Sequence, residues 1–368
     1  MFNMKTFSSR RQKPGDVLAE ERRTDKVSIL EIARQAGVSP ATVSRVFNRP
    51  DIVQAQTREH VLAIAGSHGF RPNRLGSSLR LGSTRTLGLV LPTLSNPVFA
   101  DCFEGAEQRA RQSGYSVMMT ATHYDPTLET AAVHRLIDHQ LDGVILTVAD
   151  ARKSSILKTL KARGMNYVLA YNESVIHPCA AVDNYAAASD MVSHLAGLGH
   201  RHIAFLSGPL DLSDRAKSRL AGSRHCARAL RLERVRHYVM LSHTASDTAT
   251  IARILEAASR PSALFCSNDL LATSVIAIVK ELGGAVPGDI SVAGFDGIRY
   301  GAFMSPSLTT VEAPGYEIGK AACHLLLDQI EQGAVRSEQL RYRLIEGASV
   351  AAVSPLSRKE SHAACANQ

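Results

Sequence analysis

Residues 27–48, VSILEIARQAGVSPATVSRVFN, read as two short helices around a tight turn. Ile29, Ile32, Ala33 and Ala36 recur at i, i+3, i+4 and i+7, the spacing of one apolar helical stripe. Gly37 stops that helix, because glycine takes the left-handed C′ conformation without steric cost. Ser39 suits an N-cap, its hydroxyl accepting from orphan backbone N–H groups. Pro40 follows at the first helical position, where a missing N–H is harmless. Val43, with Val46 or Phe47, turns inward against the first helix. Pro40, Ala41, Thr42, Ser44, Arg45 and Asn48 are left on the outer surface. Short polar groups and one arginine on the first turns of a helix are what reading base edges in a major groove requires. The same pattern also suits a plain structural helix pair, so the surrounding chain has to decide.

Charge is the first discriminator. Residues 1–86 hold 15 Lys+Arg and 7 Asp+Glu, while the remaining 282 residues hold 27 of each. All of the +8 net charge therefore sits with the helix pair. A basic segment gains affinity for a polyanion by releasing counterions, and a neutral remainder does not. The 368 residues suffice for two or three domains at roughly 100–200 residues each. No run approaches the ~20 apolar residues of a membrane span. The basic N-terminus, MFNMKTFSSRRQKPGD, lacks the apolar core of a secretory signal, so a cytoplasmic protein is expected. Cys102, Cys179, Cys226, Cys266, Cys323 and Cys365 are scattered, with no CxxC and no Cys/His cluster. Buried thiols are expected, with no metal site and no cofactor.

Residues 1–26 are polar and aperiodic, an expected flexible arm. After a loop at 49–54, Ala55 to Ser67 reads as a third helix with Val61, Leu62 and Ala65 inward. It closes a headpiece over 27–72 that ends at Gly69-Phe70-Arg71-Pro72. Residues 73–86 form a linker, in which Asn73 to Leu81 (NRLGSSLRL) carries helical spacing, Leu75 to Leu79, between Arg74 and Arg80. Alone it is too short for a stable helix.

VSILEIARQAGVSPATVSRVFNRP, followed by GFRPNRLGSSLRLGSTRTLGLVLPTLSNPVFA, resembles the LacI/GalR family of bacterial transcription regulators, in register from about residue 27 to about 350. The resemblance implies a repressor that binds double-stranded DNA as a homodimer on a palindromic operator, under control of a small-molecule effector, most often a carbohydrate. It places Thr42, Ser44, Arg45 and Asn48 on the DNA-facing helix, with Ser28, Ser39 and Asn73 beside them. Pro40 and Ala41 fill the positions that vary most with operator; neither can hydrogen-bond a base, though both can touch a thymine methyl. Leu79 matches a hinge leucine that wedges into a minor-groove base step, unstacking it in exchange for a bent duplex with more contact. Three residues depart from the family pattern. Gly76 stands for a usual alanine, weakening a hinge helix by up to ~1 kcal/mol. Phe70 stands for a common tyrosine, and Gln54 for a serine that would cap the third helix better.

From Thr86 short apolar runs alternate with amphipathic ones. LGLVLP (87–92), YSVMMTA (115–121), GVILTVA (143–149) and YVLAYN (167–172) read as strands. HIAFLSG (202–208), RHYVMLS (236–242), SALFCSND (262–269) and ISVAGFDG (290–297) form a second series. The alternation means an α/β fold, as two doubly wound parallel sheets or one nine-stranded sheet. The resemblance implies the former: a helix-turn-helix headpiece and hinge helix, then a two-lobed Rossmann-like core of the periplasmic-binding-protein type. Crossovers are expected near Val182-Asp183, Thr309-Thr310 and Leu344. Lobe 1 is then 87–182 with 311–343, and lobe 2 is 183–310 with 344–350. Residues 351–368 form a tail without leucine heptads.

Ligands in such folds sit beyond the C-terminal ends of the strands. Those ends are Thr93–Phe99, Thr122-His123-Tyr124, Thr147, Tyr171-Asn172, Leu212–Arg219, Ser267-Asn268-Asp269 and Phe295-Asp296. Hydroxyls, amides and carboxylates among aromatic faces suit a sugar or polyol. The resemblance makes Arg219 and Asp296 effector contacts, with Phe99 and Phe265 as lining aromatics. It adds Thr122 and the Asn268-Asp269 turn, where Asp269 either N-caps the next helix or meets ligand. The GPLDLSDRAKSRLAG loop reads one residue longer than usual, and Ser223 stands for an aromatic. Arg219, helped by Lys217 and His123, would also serve an acidic ligand, and a nucleobase stays open. No GxSxG, HExxH, P-loop or dinucleotide GxGxxG follows a first strand, so no catalytic residue and no enzyme is expected. A sugar-binding transport protein would share the core, but with a signal peptide and without a headpiece.

Overall fold

The computed structural model describes residues 27–70 and 83–353. The expected arm 1–26, the hinge with Asn73 and Leu79, and the tail beyond Val353 lie outside the described residues. The chain divides into two compact units, Met1–Gly82 and Ser83–Gln368.

In the first unit, α1 (Ile29–Gln35), α2 (Pro40–Asn48) and α3 (Ala55–Ser67) bury one small core of Ile32, Ala33, Ala36, Val43, Val46, Val61 and Ala65. Gly37 takes φ +63°, the left-handed turn between α1 and α2. Phe47 is only half-buried and meets the Phe70 ring at 5.8 Å. The expected inward Leu62 instead faces out, 43% exposed. Val61, Ile64 and Ala65 occupy the face toward α1, and one residue onward from Val61 turns about 100° away from it.

The second unit holds two six-stranded sheets rather than one of nine strands. The first takes β1 (Thr86–Leu91), β2 (Ser116–Ala121), β3 (Gly143–Leu146), β4 (Asn166–Ala170) and β5 (Cys179–Val182). The second takes β6 (Ile203–Ser207), β7 (Arg236–Val239), β8 (Ala263–Cys266), β9 (Ser291–Asp296) and β10 (Thr309–Glu312). Glu338–Leu340 (β11) then joins the first sheet and Arg343–Ile345 (β12) the second, giving orders β11-β5-β4-β3-β1-β2 and β12-β10-β9-β8-β6-β7. All pairings are parallel except β10 with β12. The expected second crossing at Thr309-Thr310 moves past Glu312, because 309–312 still pairs with β9. The third falls between Leu340 and Arg343, since Leu344 already pairs with Val311.

Helices α4 (Pro97–Gln112), α5 (Pro126–Asp138), α6 (Ser155–Ala162), α7 (Asn184–Gly197), α8 (Asp214–Ala229), α9 (Thr248–Glu256), α10 (Asp269–Glu281) and α11 (Gly315–Gln332) cover the sheets. Along β1, Leu87, Leu89 and Leu91 enter the cluster that holds α4 and α11, while Val90 packs with Ala132, Val133 and Leu136 of α5. That alternation is the two-residue period of a strand covered on both faces. Two glycines let α4 and α11 touch. A Cβ on Gly105 would lie 1.9 Å from the Tyr316 carbonyl oxygen, and one on Gly319 would lie 1.9 Å from that of Cys102.

Candidate nucleic-acid interface and interlobe cleft

On the headpiece, α2 starts as its sequence dictates. Ser39 Oγ accepts from the Thr42 amide at 3.1 Å and lies 2.9 Å from Thr42 Oγ1. Ser28 caps α1 in the same way, accepting from the Glu31 amide at 3.2 Å. Both serines are exposed, but their hydroxyls are engaged in capping. Pro40, Ala41, Arg45 and Asn48 are exposed, with Thr42 and Ser44 half-buried beside them. Asn48 Nδ2 donates to Ser44 Oγ at 3.2 Å, which ties two polar groups of this face together. No carboxylate lies on α2, so nothing on the helix offsets Arg45. Gln54 precedes α3 without a side-chain cap.

In the second unit the C-terminal strand ends of the two lobes face each other across a cavity of about 30 Å³, on the order of one water molecule. Lobe 1 contributes Asn96, Val98, Phe99, Tyr124 and Tyr171; lobe 2 contributes Ser213, Arg215, Ala216, Arg219, His243, Ser267, Asn268 and Asp296. Asn96 bridges the lobes: its Nδ2 donates to Asp296 Oδ2 at 2.6 Å, while its Oδ1 caps α4. Arg219 is fixed from several sides. It donates from Nε to Asn184 Oδ1 at 2.8 Å and from Nη1 to the Ser267 carbonyl at 2.5 Å. It also lies 3.7 Å from Asp296 Oδ1 and stacks over the Phe295 ring at 3.5 Å. Phe99 meets Tyr171 edge-on at 5.1 Å, and Tyr124 stacks on His243 at 4.6 Å. Tyr124, Tyr171 and Asp296 hold positive φ angles of 60°, 69° and 117°, backbone strain of the sort that concentrates at functional sites.

Burial sets the electrostatics. It pulls the Arg219 guanidinium down to about 10, against the opposing Asp296 carboxylate, and leaves it charged at neutral pH. It raises the Asp296 carboxyl, against Arg219 and the Asn96 amide. Burial, helped by the Arg215 charge, drives His243 down to about 4. The site thus holds a neutral imidazole beside two guanidinium groups.

Some residues expected in the pocket lie elsewhere. Phe265 is fully buried in the core, edge-on to Phe205 at 5.4 Å, and does not line the cavity. Thr122 turns its hydroxyl toward the Leu91 carbonyl, 3.4 Å away. Asp269 neither caps α10 nor lines the cavity. Its carboxylate accepts from the Gly297 and Ile298 amides, both at 2.8 Å, and from the Thr310 hydroxyl at 2.6 Å. Asn268 is the cap, accepting from the Leu271 amide at 2.9 Å. His123 is exposed and absent from the lining, and Lys217 borders two neighbouring cavities. Arg215 lay within the expected 212–219 segment but was not singled out. His243 was missed: it follows β7 in irregular chain, where no periodicity marks it.

A compact three-helix unit with an acid-free recognition face, joined to a two-lobed core around a polar cleft, defines a DNA-binding regulator with a ligand-binding core. The comparisons agree. Residues 28–73 match bacterial regulatory proteins of the lacI family, and residues 192–350 match a periplasmic binding protein-like domain. Catabolite control protein A of Priestia megaterium is 31% identical over 324 residues, spanning 86% of this chain and 97% of that protein. The HTH-type transcriptional repressor CytR of Escherichia coli (strain K12) is 30% identical, spanning 82% and 89%. A crystal structure of the lac repressor dimer bound to operator and the anti-inducer ONPF superposes with a TM-score of 0.79 at 26% identity, covering 89% of this chain and 99% of that one. The chain belongs to the LacI family and is a DNA-binding transcriptional repressor. Among the described residues no helix is long and apolar enough to cross a membrane.

Proposed function

We propose that this repressor acts as a homodimer on a palindromic operator, and that a sugar or sugar derivative in the interlobe cleft controls its DNA affinity. The observation that carries the DNA reading is the α2 face, with Arg45 and Asn48 exposed, Thr42 and Ser44 beside them, and no carboxylate on the helix. One such helix contacts too little DNA for tight specificity, so two half-sites related by protein symmetry supply it. The structural relative bound as a dimer to operator and an anti-inducer supports a dimer on DNA that answers to a small molecule. Readout at Pro40 and Ala41 is apolar, which leaves hydrogen-bonded readout to Thr42, Ser44 and Arg45. Leu79 adds reading of deformability at the centre of the site. Control is linkage: the effector changes operator affinity only by its differential affinity for two states of the core.

Selection of bound sequences from random duplexes should return a two-fold symmetric site. On that site Arg45→Ala should weaken binding by ~1–3 kcal/mol and leave effector binding unchanged. An asymmetric consensus, or operator affinity unmoved by Arg45→Ala, would defeat the assignment. A melting-temperature screen with sugars, aldonates, polyols and nucleobases finds the effector class, since a ligand selective for the folded state raises its stability.

A further inference from the structure

We infer that the ligand of the cleft is an anion, a sugar or polyol bearing a carboxylate or phosphate, with its charged group held by Arg215 beside Arg219. The inference rests on the reading of the cleft as an effector site. Both arginines are almost wholly buried, 5% and 6% exposed, and both line the same cavity. Buried cations are costly unless matched by anions and acceptors. Arg219 is matched, by Asn184, Ser267, Asp296 and the Phe295 ring. Arg215 is not matched to the same degree. Among the described residues only its Nη1 finds acceptors: the Val148 carbonyl at 2.9 Å and, more loosely, Asp214 Oδ1 at 3.4 Å. Asp214 is itself engaged, accepting from the Asn172 amide group at 2.8 Å and from the Ala151 amide at 2.9 Å. A guanidinium has five N–H donors in a fixed fork, a geometry that fits a carboxylate or phosphate bidentately.

The room for such a ligand adjoins the same side chain. Arg215 also borders an outer cavity of about 360 Å³, together with Lys217 and Arg152. The carboxylates there accept within the protein, Asp214 through both oxygens and Asp150 and Glu173 through one each. Asp150 accepts from the Arg152 and Lys153 amides, and Glu173 from the Asn184 amide and side chain. The side chains of Arg152 and Lys217 pair with no acceptor among the described residues. Among the described residues the unpaired N–H groups of Arg215, Arg152 and Lys217 outnumber the two unpaired carboxylate oxygens, Asp150 Oδ2 and Glu173 Oε1. Further in, the inner cavity presents the rings of Phe99 and Tyr124, apolar faces for the C–H groups of a polyol.

Calorimetric titration of the full-length protein would use matched acids and neutral parents: gluconate and glucose 6-phosphate against glucose, galactonate against galactose, and ribose 5-phosphate against ribose. One acid should bind at least about tenfold more tightly than its parent, the scale of one charge-assisted hydrogen bond. Carboxylate and phosphate arms separate the two sources of charge. Arg215→Gln should erase that preference, and Arg215→Lys, which keeps the charge but not the fork, should keep part of it, which separates loss of charge from loss of fold. A parent binding as tightly as its acid, an unchanged preference in Arg215→Gln, or no acid binding overturns the inference. Operator titrations in the same samples distinguish the two readings. An acid that binds without altering operator affinity counts against the regulatory reading alone. A neutral sugar that alters it, in Arg215→Gln as in the unaltered protein, counts against the anion alone.

Discussion

His243 shows how the cleft selects protonation states. Its Nε2 reaches the Pro209 carbonyl at 3.1 Å, and its ring stacks on Tyr124. Burial is the main reason its pKa falls to about 4, and the Arg215 charge adds to it. In the unfolded chain the same imidazole titrates near 6.5. Between those values the unfolded state binds the proton and the folded state does not, so stability rises with pH across that window and is lost as pH falls from about 6.5 toward 4. The full effect is on the order of 3 kcal/mol. Burial also lowers His177, His200 and His237, so the whole protein's acid sensitivity is shared. The contribution of His243 is isolated by comparing urea unfolding of the parent and His243→Gln from pH 7 to pH 4. The gap between them should shift in favour of the variant as pH falls, and a gap independent of pH would mean that His243 titrates normally.

At the level of elements, close helix contact joins α4 to α11 over the first sheet. The Gly105–Gly319 crossing leaves no space for a methyl group, because the obstruction on each side is backbone. Gly319→Ala should therefore cost ~1–3 kcal/mol despite alanine's better helix propensity, lowering the urea midpoint without changing its slope. A rise in the midpoint would mean that α11 shifts freely. Sequence alone reached as far as local rules reach. The Ser39 cap, the Gly37 turn and the strand at 87–92 depend on neighbours a few residues away, and all are legible. Leu62 was misread because two faces of α3 carry apolar residues, and only α1 decides which is covered. Phe265 is misplaced because it shares a sheet face with Ser267, two residues on, and only depth along the strand separates them: Phe265, inside β8, pairs with Phe205, while Ser267 lies past the strand end at the cavity. Asp269 and Asn268 were confused because either side chain can cap a helix. The choice depends on the Gly297, Ile298 and Thr310 donors, nearly thirty residues or more away.

At the scale of the whole ligand-binding core, the two lobes are held together by groups from the start of α8. The Asp214 amide donates to the Ala149 carbonyl at 2.8 Å, and its carboxylate takes the Ala151 amide and the Asn172 side chain. On the opposite wall the lobes meet again through Asn96 and Asp296. The inner cavity of about 30 Å³ has no room for a sugar, so a ligand that enters beside Arg215 and reaches Phe99 and Tyr124 requires the lobes to part or their side chains to rearrange. The Asp214 carboxylate is then a determinant of the closed state, since hydrogen bonds to a charged group contribute ~1.5–3 kcal/mol each. Asp214→Ala should shift the population toward open lobes. Hydrogen exchange should quicken at 148–151, where the Ala151 amide loses its acceptor, and stay slow in β3. Ligand should bind faster to this variant, because less of the protein has to open first, while the affinity gain is limited to the free energy of the lost closure. Unchanged exchange at 148–151 would mean that Arg215 and Asn96 hold the lobes without Asp214, and the Asp214 carboxylate would lose its claim to control closure.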